Sequence, residues 1–331
     1  MLEEKEVIRV LDSTKVQDYM NCPRYFFLRH VLGWRRSEEN VNLIFGMLWH
    51  EAMDLIQSNG YTPKNGYDPQ IANEACAKFV KSYREYFPPE DDPINEPKIP
   101  SNAIRALLKY IEFYKNDSFE VMHTEVAGTV ILGSSVDDVL YFKIDTICKG
   151  NEGIFCLEHK TSKYFNSNWA DQWRLKFQVG TYSHALFSMY NPSDVFGVKI
   201  NGAFIVNPPK LKKDGTPYAN SKDIEFHRVP VRKTTDSMQG WLITAISWVD
   251  EINQNIDTLF GMMNNMVSYE FLPIFRQNGE HCVTYGRCPY YDICTIKHNP
   301  LRYANNPPDG FVIDYWDPRS ELMKAKERVE L

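Results

Sequence analysis

Residues 139–163, VLYFKIDTICKGNEGIFCLEHKTSK, decide the reading of this chain. Two runs rich in β-branched and aromatic residues, VLYFKIDTIC and GIFCLEH, flank a short polar turn, the pattern of two neighbouring strands. Asp145 lies in the first strand. Glu158 and Lys160 stand two apart in the second and so share a face, because side chains alternate across a strand. Carboxylates on adjacent strands suit a hard cation such as Mg²⁺ or Mn²⁺, which takes oxygen ligands and keeps several of its waters. The lysine adds what carboxylates lack: an ammonium that can orient a water and stabilise the charge building on a phosphate during displacement. An exposed strand end with an ordinary salt bridge would show the same triplet, so the surrounding sequence has to be read with it.

Working outward, TEVAGTVIL (124–132) reads as a preceding strand. A helix is expected over Asn168 to Met189, then strands in VFGVKINGAFIV (195–206) and from Ile224 to Val231, with an exposed lysine-rich loop from Pro208 to Lys222 between them. Upstream, Asp12 and Ser13 are cap-type residues opening a short helix that Pro23 interrupts just after Cys22. Helical spacing recurs over Leu43–Ile56, Ile71–Tyr86 and Ala103–Tyr114, the last two separated by the acidic, proline-rich PPEDDPINEPKIP (88–100). From Asp236 to Tyr269, Trp241, Ala245, Trp248, Ile252, Ile256, Leu259, Met263 and Met266 step at three or four, giving one long helix whose stripe is core. The fold class is therefore α/β, a central sheet flanked by helices. Three regions are expected in one compact unit: helical 1–118, the sheet-bearing core 119–235, and a C-terminal long helix with a cysteine segment over 236–331.

The 331 residues are 43% hydrophobic, enough for a substantial core, and no run approaches the roughly 18 apolar residues of a membrane span. The charged N-terminus MLEEKEVIRV lacks an apolar h-region, so a cytoplasmic protein without a membrane partner is expected. A net charge of −6 leaves nucleic-acid binding open, since contacts depend on where basic residues cluster. In a reducing compartment the seven cysteines read as thiols, and clustered ones as metal ligands. Cys282, Cys288 and Cys294 stand in HCVTYGRCPYYDIC, and Cys22 sits far upstream in MNCPRYFFL. Four thiolates can complete an iron-sulfur cubane or a structural zinc site, which ligand count does not separate. Cys76, Cys148 and Cys156 fall in patterned elements and read as small buried apolar residues.

Three further motifs accompany the strand pair: FGMLWHEAMD with His50 after Gly46, EHKTSK continuing the second strand, and QVGTYSHAL with Gln178 and Tyr182 one helical turn apart. In this order they resemble the PD-(D/E)XK nucleases of the RecB-like branch. The resemblance implies a restriction-endonuclease-like core with a helical N-terminal insertion. It also implies that His50, Asp145, Glu158 and the backbone carbonyl of His159 hold a divalent metal, that Lys160 serves the water and the transition state, and that Gln178 and Tyr182 hold the substrate backbone or the lysine. Glu125 in HTEVAG has a family counterpart, with a purely structural reading standing beside it. The chain departs from the pattern at Lys143, where a glycine is usual two before the aspartate, and at His159, where the middle residue is usually apolar or aromatic. The cysteine layout is similar to that of AddB and the CRISPR-associated RecB-like exonucleases, which implies a 4Fe-4S cluster on Cys22, Cys282, Cys288 and Cys294; the terminal trio is more widely spaced here.

The expected function is an exonuclease acting on single-stranded DNA or DNA ends, in recombination, repair, CRISPR adaptation or viral DNA processing, with a helicase or recombination protein as a partner. The alternatives are a non-catalytic, partner-dependent DNA-binding subunit and a redox or radical iron-sulfur enzyme; the absence of a CxxxCxxC run argues against the second. Lys163, Arg174 and Lys176 are candidates for phosphate contacts. Arg24, Arg29, Arg35 and Arg36 could grip a strand together with Tyr25, Phe26, Phe27 and Trp34, or those aromatics could pack inward.

Overall fold

The computed structural model describes residues 6–133, 138–214, 216, 218, 221–264, 270–284 and 286–329. The chain divides into two units, each assembled from separated segments: 39–126 with 143–233, and 1–38 with 127–142 and 234–331.

The five-stranded sheet runs β1 (Glu120–Ile131), β2 (Val139–Gly150), β3 (Gly153–Ser162), β4 (Val195–Phe204) and β5 (Glu225–Val231), in that spatial order. All five strands fall where the alternating pattern puts them. β2 and β3 are antiparallel, with Gly153 at φ 120° in the turn; β3 and β4 are parallel and β4 and β5 antiparallel. Parallel neighbours need a crossover, and helix Phe177–Met189 lies in the connection between β3 and β4. On the other side of the sequence, three helices supply the core: Val41–Asn59, Pro69–Tyr86 and Pro100–Phe113. Their apolar faces meet through Phe45, Trp49, Phe79, Tyr83, Leu107 and Tyr110 and join Phe155, Leu157 and Ala203 of the sheet. Burying each of the larger side chains contributes roughly 2–3 kcal/mol. Asp68 caps the second of these helices, accepting from Gln70 N at 2.8 Å, and Pro69 and Pro100 sit in first turns, where no N–H is needed.

The single helix expected over Asn168–Met189 is two. Ser167–Asp171 runs into a 3-10 turn ending at Arg174, and Lys176 is extended before the second helix begins at Phe177. Around the break, Trp169 packs on Phe204 and Trp173 at ring-centroid distances of 4.7 and 5.3 Å, while Leu175 points to solvent and Phe177 is buried again.

In the other unit, helix Ser13–Asn21 starts on Asp12, whose carboxylate accepts from Lys15 N at 2.8 Å, and ends before Pro23, as expected. The long helix covers Thr235–Asn264; Met266 and the rest of its expected C-terminal turn lie outside the described residues. Tyr19 joins the two helices by accepting from Asn255 and donating to Glu251 Oε1 at 2.9 Å. Strand Trp34–Arg36 pairs antiparallel with Phe311–Ile313. Phe26, Phe27 and Trp34 are fully buried, so these aromatics pack inward. Arg24 is buried and donates to the carbonyls of Phe275 and His298, Arg29 donates to Asp314 O, Arg35 pairs with the Asp314 carboxylate and Arg36 donates to Pro289 O. The arginines thus tie the first segment to the last. No described helix is long and apolar enough to cross a membrane.

Candidate active site

The ladder between β2 and β3 pairs Thr146 with Leu157, and one step further out stand Asp145 and Glu158. Both carboxylates are buried, at 8% and 1% exposure. Each is held by a basic group. His50, carried on helix Val41–Asn59, meets Asp145 Oδ1 through Nδ1 at 2.9 Å; Lys160 Nζ meets Glu158 Oε1 at 2.5 Å; and the backbone N–H of His159 donates to Asp145 Oδ2 at 2.8 Å. The structure therefore brings His50, Asp145, Glu158, His159 and Lys160 together at one edge of the strand pair.

Their charges follow from this enclosure. Burial pulls the His50 imidazole toward neutrality, but the Asp145 charge outweighs it and raises its pKa. Burial opposes ionisation of Asp145, yet the His50 charge and hydrogen bond hold its carboxyl below the usual range. Glu158 is raised, by burial first and by the charge of Asp145 second, and its Oε2 has no hydrogen-bond partner among the described residues. An unpartnered carboxylate oxygen this deeply buried is costly unless something satisfies it. The oxygen donors fit Mg²⁺ or Mn²⁺. They are not a closed cage: among the described residues no three His, Cys, Asp or Glu side chains are arranged to hold a metal ion, and His50 and Lys160 take the carboxylate oxygens instead.

Gln178 donates to the Tyr182 hydroxyl at 2.8 Å, one helical turn away as the motif spacing requires, and Tyr182 donates to the backbone carbonyl of Lys143 on β2. This fastens the crossover helix to the strand that carries Asp145. Lys143 Nζ pairs at 2.5 Å with Glu125, which is three-quarters or more enclosed and sits at φ 53° on β1. A non-glycine residue in this left-handed region is strained, and such strain persists where the surroundings enforce it. Lys176 has a lowered pKa, through burial first and the Lys160 charge second, which puts it within electrostatic reach of the strand pair. Arg174 is exposed.

Beneath the carboxylates lies a network that motif reading missed. The Asn201 amide on β4 donates to the Tyr110 hydroxyl at 2.8 Å and meets His159 Nδ1 at 3.0 Å, while its oxygen accepts from Arg228 Nε at 3.0 Å. Arg228 forms a bidentate pair with Asp117 at 2.6 and 2.7 Å, and Tyr67 donates to the same carboxylate. Because Arg228 fixes which end of the amide faces it, His159 Nδ1 must accept and its Nε2 carries the proton. Burial keeps this imidazole neutral, with its pKa lowered to about 3. A signal was available: Asn201 is a polar residue in the middle of a buried strand, where asparagine is depleted.

The cysteines divide into a buried set, as expected for Cys76, Cys148 and Cys156, and a partly exposed set. Cys76, Cys148 and Cys156 are buried, and no disulfide is present. Cys22, Cys282 and Cys288 line a cavity of about 140 Å³. Asn278 joins two of them: its backbone N–H donates to Cys22 Sγ at 3.4 Å, and its carbonyl receives Cys282 Sγ at 3.7 Å. Cys288 N donates to Cys282 O at 2.9 Å. The Cys294 thiol is raised to about 11, chiefly by burial, and its field includes Arg24 and the other three thiols. Four free thiols thus gather in one unit. That donor set suits iron and sulfur or zinc, without closing as a metal cage.

A model of the PD-(D/E)XK nuclease superfamily matches residues 13–295, from the first capped helix to just past Cys294. The chain belongs to the PD-(D/E)XK nuclease superfamily. Its mixed five-stranded sheet with flanking helices is consistent with that fold, and nucleases of this superfamily generally use Mg²⁺ or Mn²⁺. No curated protein matches the chain. A solved structure described as "Crystal structure of SSO0001" aligns over 62% of this PD-(D/E)XK chain and 84% of its own, at 12% identity and a TM-score of 0.27.

Proposed function

We propose that this chain is a metal-dependent deoxyribonuclease of the RecB-like branch that cuts single-stranded DNA or DNA ends exonucleolytically, with a 4Fe-4S cluster on Cys22, Cys282, Cys288 and Cys294. One observation carries the catalytic part: two buried carboxylates and a lysine converge on the strand pair, and Glu158 keeps an unpartnered oxygen there. Asp145, Glu158, the His159 carbonyl and His50 would hold Mg²⁺ or Mn²⁺. When bound, such an ion supplies an activated water and neutralises developing charge on the phosphate. Lys160, positioned by Glu158, orients the attacking water and stabilises the charged phosphate oxygens. Gln178 and Tyr182 hold β2 in place through the Lys143 carbonyl, and Lys176 adds positive charge for the substrate backbone.

The cluster reading rests on the four free thiols and their spacing. Its role is structural, since hydrolysis moves no electrons: ligands this far apart in sequence would lock the first segment of their unit to the last. A repair, recombination, CRISPR-adaptation or viral DNA-processing setting, with a helicase or recombination partner, accords with this activity.

The test is release of nucleotides from 5′- and 3′-labelled single- and double-stranded DNA with Mg²⁺ or Mn²⁺. Stepwise loss from one end by the wild type, abolished in Glu158→Ala and Lys160→Ala, is expected. No cleavage of any DNA form would reject the catalytic reading in favour of a DNA-binding subunit. Brown colour with bound iron and sulfide is expected of the purified protein, and a colourless zinc-loaded protein would overturn the cluster.

A further inference from the structure

Beyond the carboxylates, the sheet-bearing unit carries a groove of about 610 Å³ whose lining includes Lys163, Tyr164, Lys210, Tyr218 and Lys222. Its chemistry is uniform. Three lysines reach it from two separate segments, the end of β3 and the loop before β5, and none of the three makes an ion pair among the described residues. Two tyrosine rings are exposed beside them, Tyr164 at 48% and Tyr218 at 56%. Lys222 Nζ and Lys163 Nζ lie 4.7 and 5.4 Å from the centre of the Tyr164 ring. The lining carboxylate, Glu96, is engaged by Asn207. Pro208 and Pro209 form part of the rim, and the half-buried Phe165, next to Tyr164, stacks on His227 at 3.7 Å.

We infer that this groove is a binding track for a single DNA strand: Tyr164 stacks a base while Lys163, Lys222 and Lys210 contact the phosphates on either side. An exposed ring with two ammonium groups about 5 Å from its centre matches a nucleotide, whose flat base and anionic phosphate lie at that kind of spacing. A duplex buries its base faces and cannot use such a platform. The track leads to the chemistry. Lys163 lies in the bend just past the end of β3, three residues after Lys160 and so no more than about 10 Å from it along the chain, which puts the scissile phosphate of a strand stacked on Tyr164 a few nucleotides away. This inference rests on the proposed nuclease site for its direction, and its binding test is separate from that site's activity.

The experiment measures anisotropy of a fluorescein-labelled 20-mer of thymidylate with the full chain, in EDTA to prevent cleavage and over a salt series. Tyr164→Ala should weaken binding about tenfold and Tyr164→Phe should restore it. Lys163→Ala with Lys222→Ala should lower the slope of log affinity against log salt by about 1.4, roughly 0.7 for each lost phosphate contact. Binding of a 20-base-pair duplex should not change. Unchanged affinity and slope in these variants, or equal losses on the duplex, would overturn the track. Binding that follows the expected pattern in a protein that cleaves nothing would leave the track standing and remove the nuclease reading. Cleavage by the wild type with unaltered binding in the variants would do the reverse. Tighter binding of a 20-mer of uridylate than of thymidylate would overturn the assignment to DNA.

Discussion

The carboxylate site and the thiol group are held together by different means. Asp145 and Glu158 lie thirteen residues apart on neighbouring strands, and every basic group around them is fixed by the same sheet and its first helix. Cys22 lies 260 residues from Cys282, and the thiols are gathered by backbone contacts such as Asn278 to Cys22 rather than by a shared element. The first site is set by strand register and one helix, at the cost of burying charge. The second gathers its thiols through loop contacts. The comparison teaches that local register can bring charged groups together over a short stretch of sequence, whereas distant thiols depend on tertiary contacts to meet.

The largest effect that would break this comparison is on catalysis. Lys160→Ala should lower DNA hydrolysis by roughly 10²–10³-fold, the usual loss of one electrostatic stabiliser, with an unchanged circular dichroism spectrum. Activity within a few-fold of wild type would show that the pre-formed group is not the catalytic one.

Next comes Cys22→Ala. It should abolish bound iron and visible absorbance and lower the thermal midpoint by roughly 10 °C, while Cys76→Ala, buried in the helical core, should shift it by only about 2–4 °C. Equal shifts from the two cysteines, with iron retained, would make Cys22 an ordinary packed thiol.

A third variant probes the support under the carboxylates. Asn201→Ala removes partners from Tyr110, His159 and Arg228 together and should cost about 2–3 kcal/mol in a urea titration. A loss below about 0.5 kcal/mol would mean that Arg228 and Asp117 carry the network without it.

The smallest expected effect has the opposite sign. Lys98 is 7% exposed, its ammonium has no hydrogen-bond partner among the described residues and lies 4.7 Å from the Phe45 ring centre, and burial lowers its pKa to about 8. The unfolded chain holds this proton up to about pH 10.4, so between pH 8 and 10 it binds more protons than the fold and stability should rise with pH. Below pH 8 the buried charge is a standing penalty. Lys98→Met should therefore stabilise the protein by about 1 kcal/mol at pH 7 and flatten the contribution of this group to the alkaline rise, both read from urea midpoints at pH 7, 8 and 9.5.

Much of this was legible beforehand because it depends on short periods. The five strands, the Asp12 cap, the stop at Pro23 and the shared face of Glu158 and Lys160 follow from alternation and capping chemistry within a few residues. The break at Lys176 was not, since Trp169, Trp173 and Phe177 keep the four-residue step of a single helix, and Trp169 finds its partner Phe204 only 35 residues on. The arginines of the first segment show the same limit: the carbonyls and carboxylate that they meet belong to residues some 250 positions on, which no local pattern reveals.

By itself the sequence determined the order of elements, the strand pair and which side chains leave it on one face, because backbone geometry makes these properties local. Tertiary structure alone decided that His50 pairs with Asp145, that Asn201, Arg228 and Asp117 lie under His159, and that Cys22 reaches Asn278. Those contacts join segments separated by dozens to hundreds of residues, and burial of apolar surface, not local propensity, determines which segments meet.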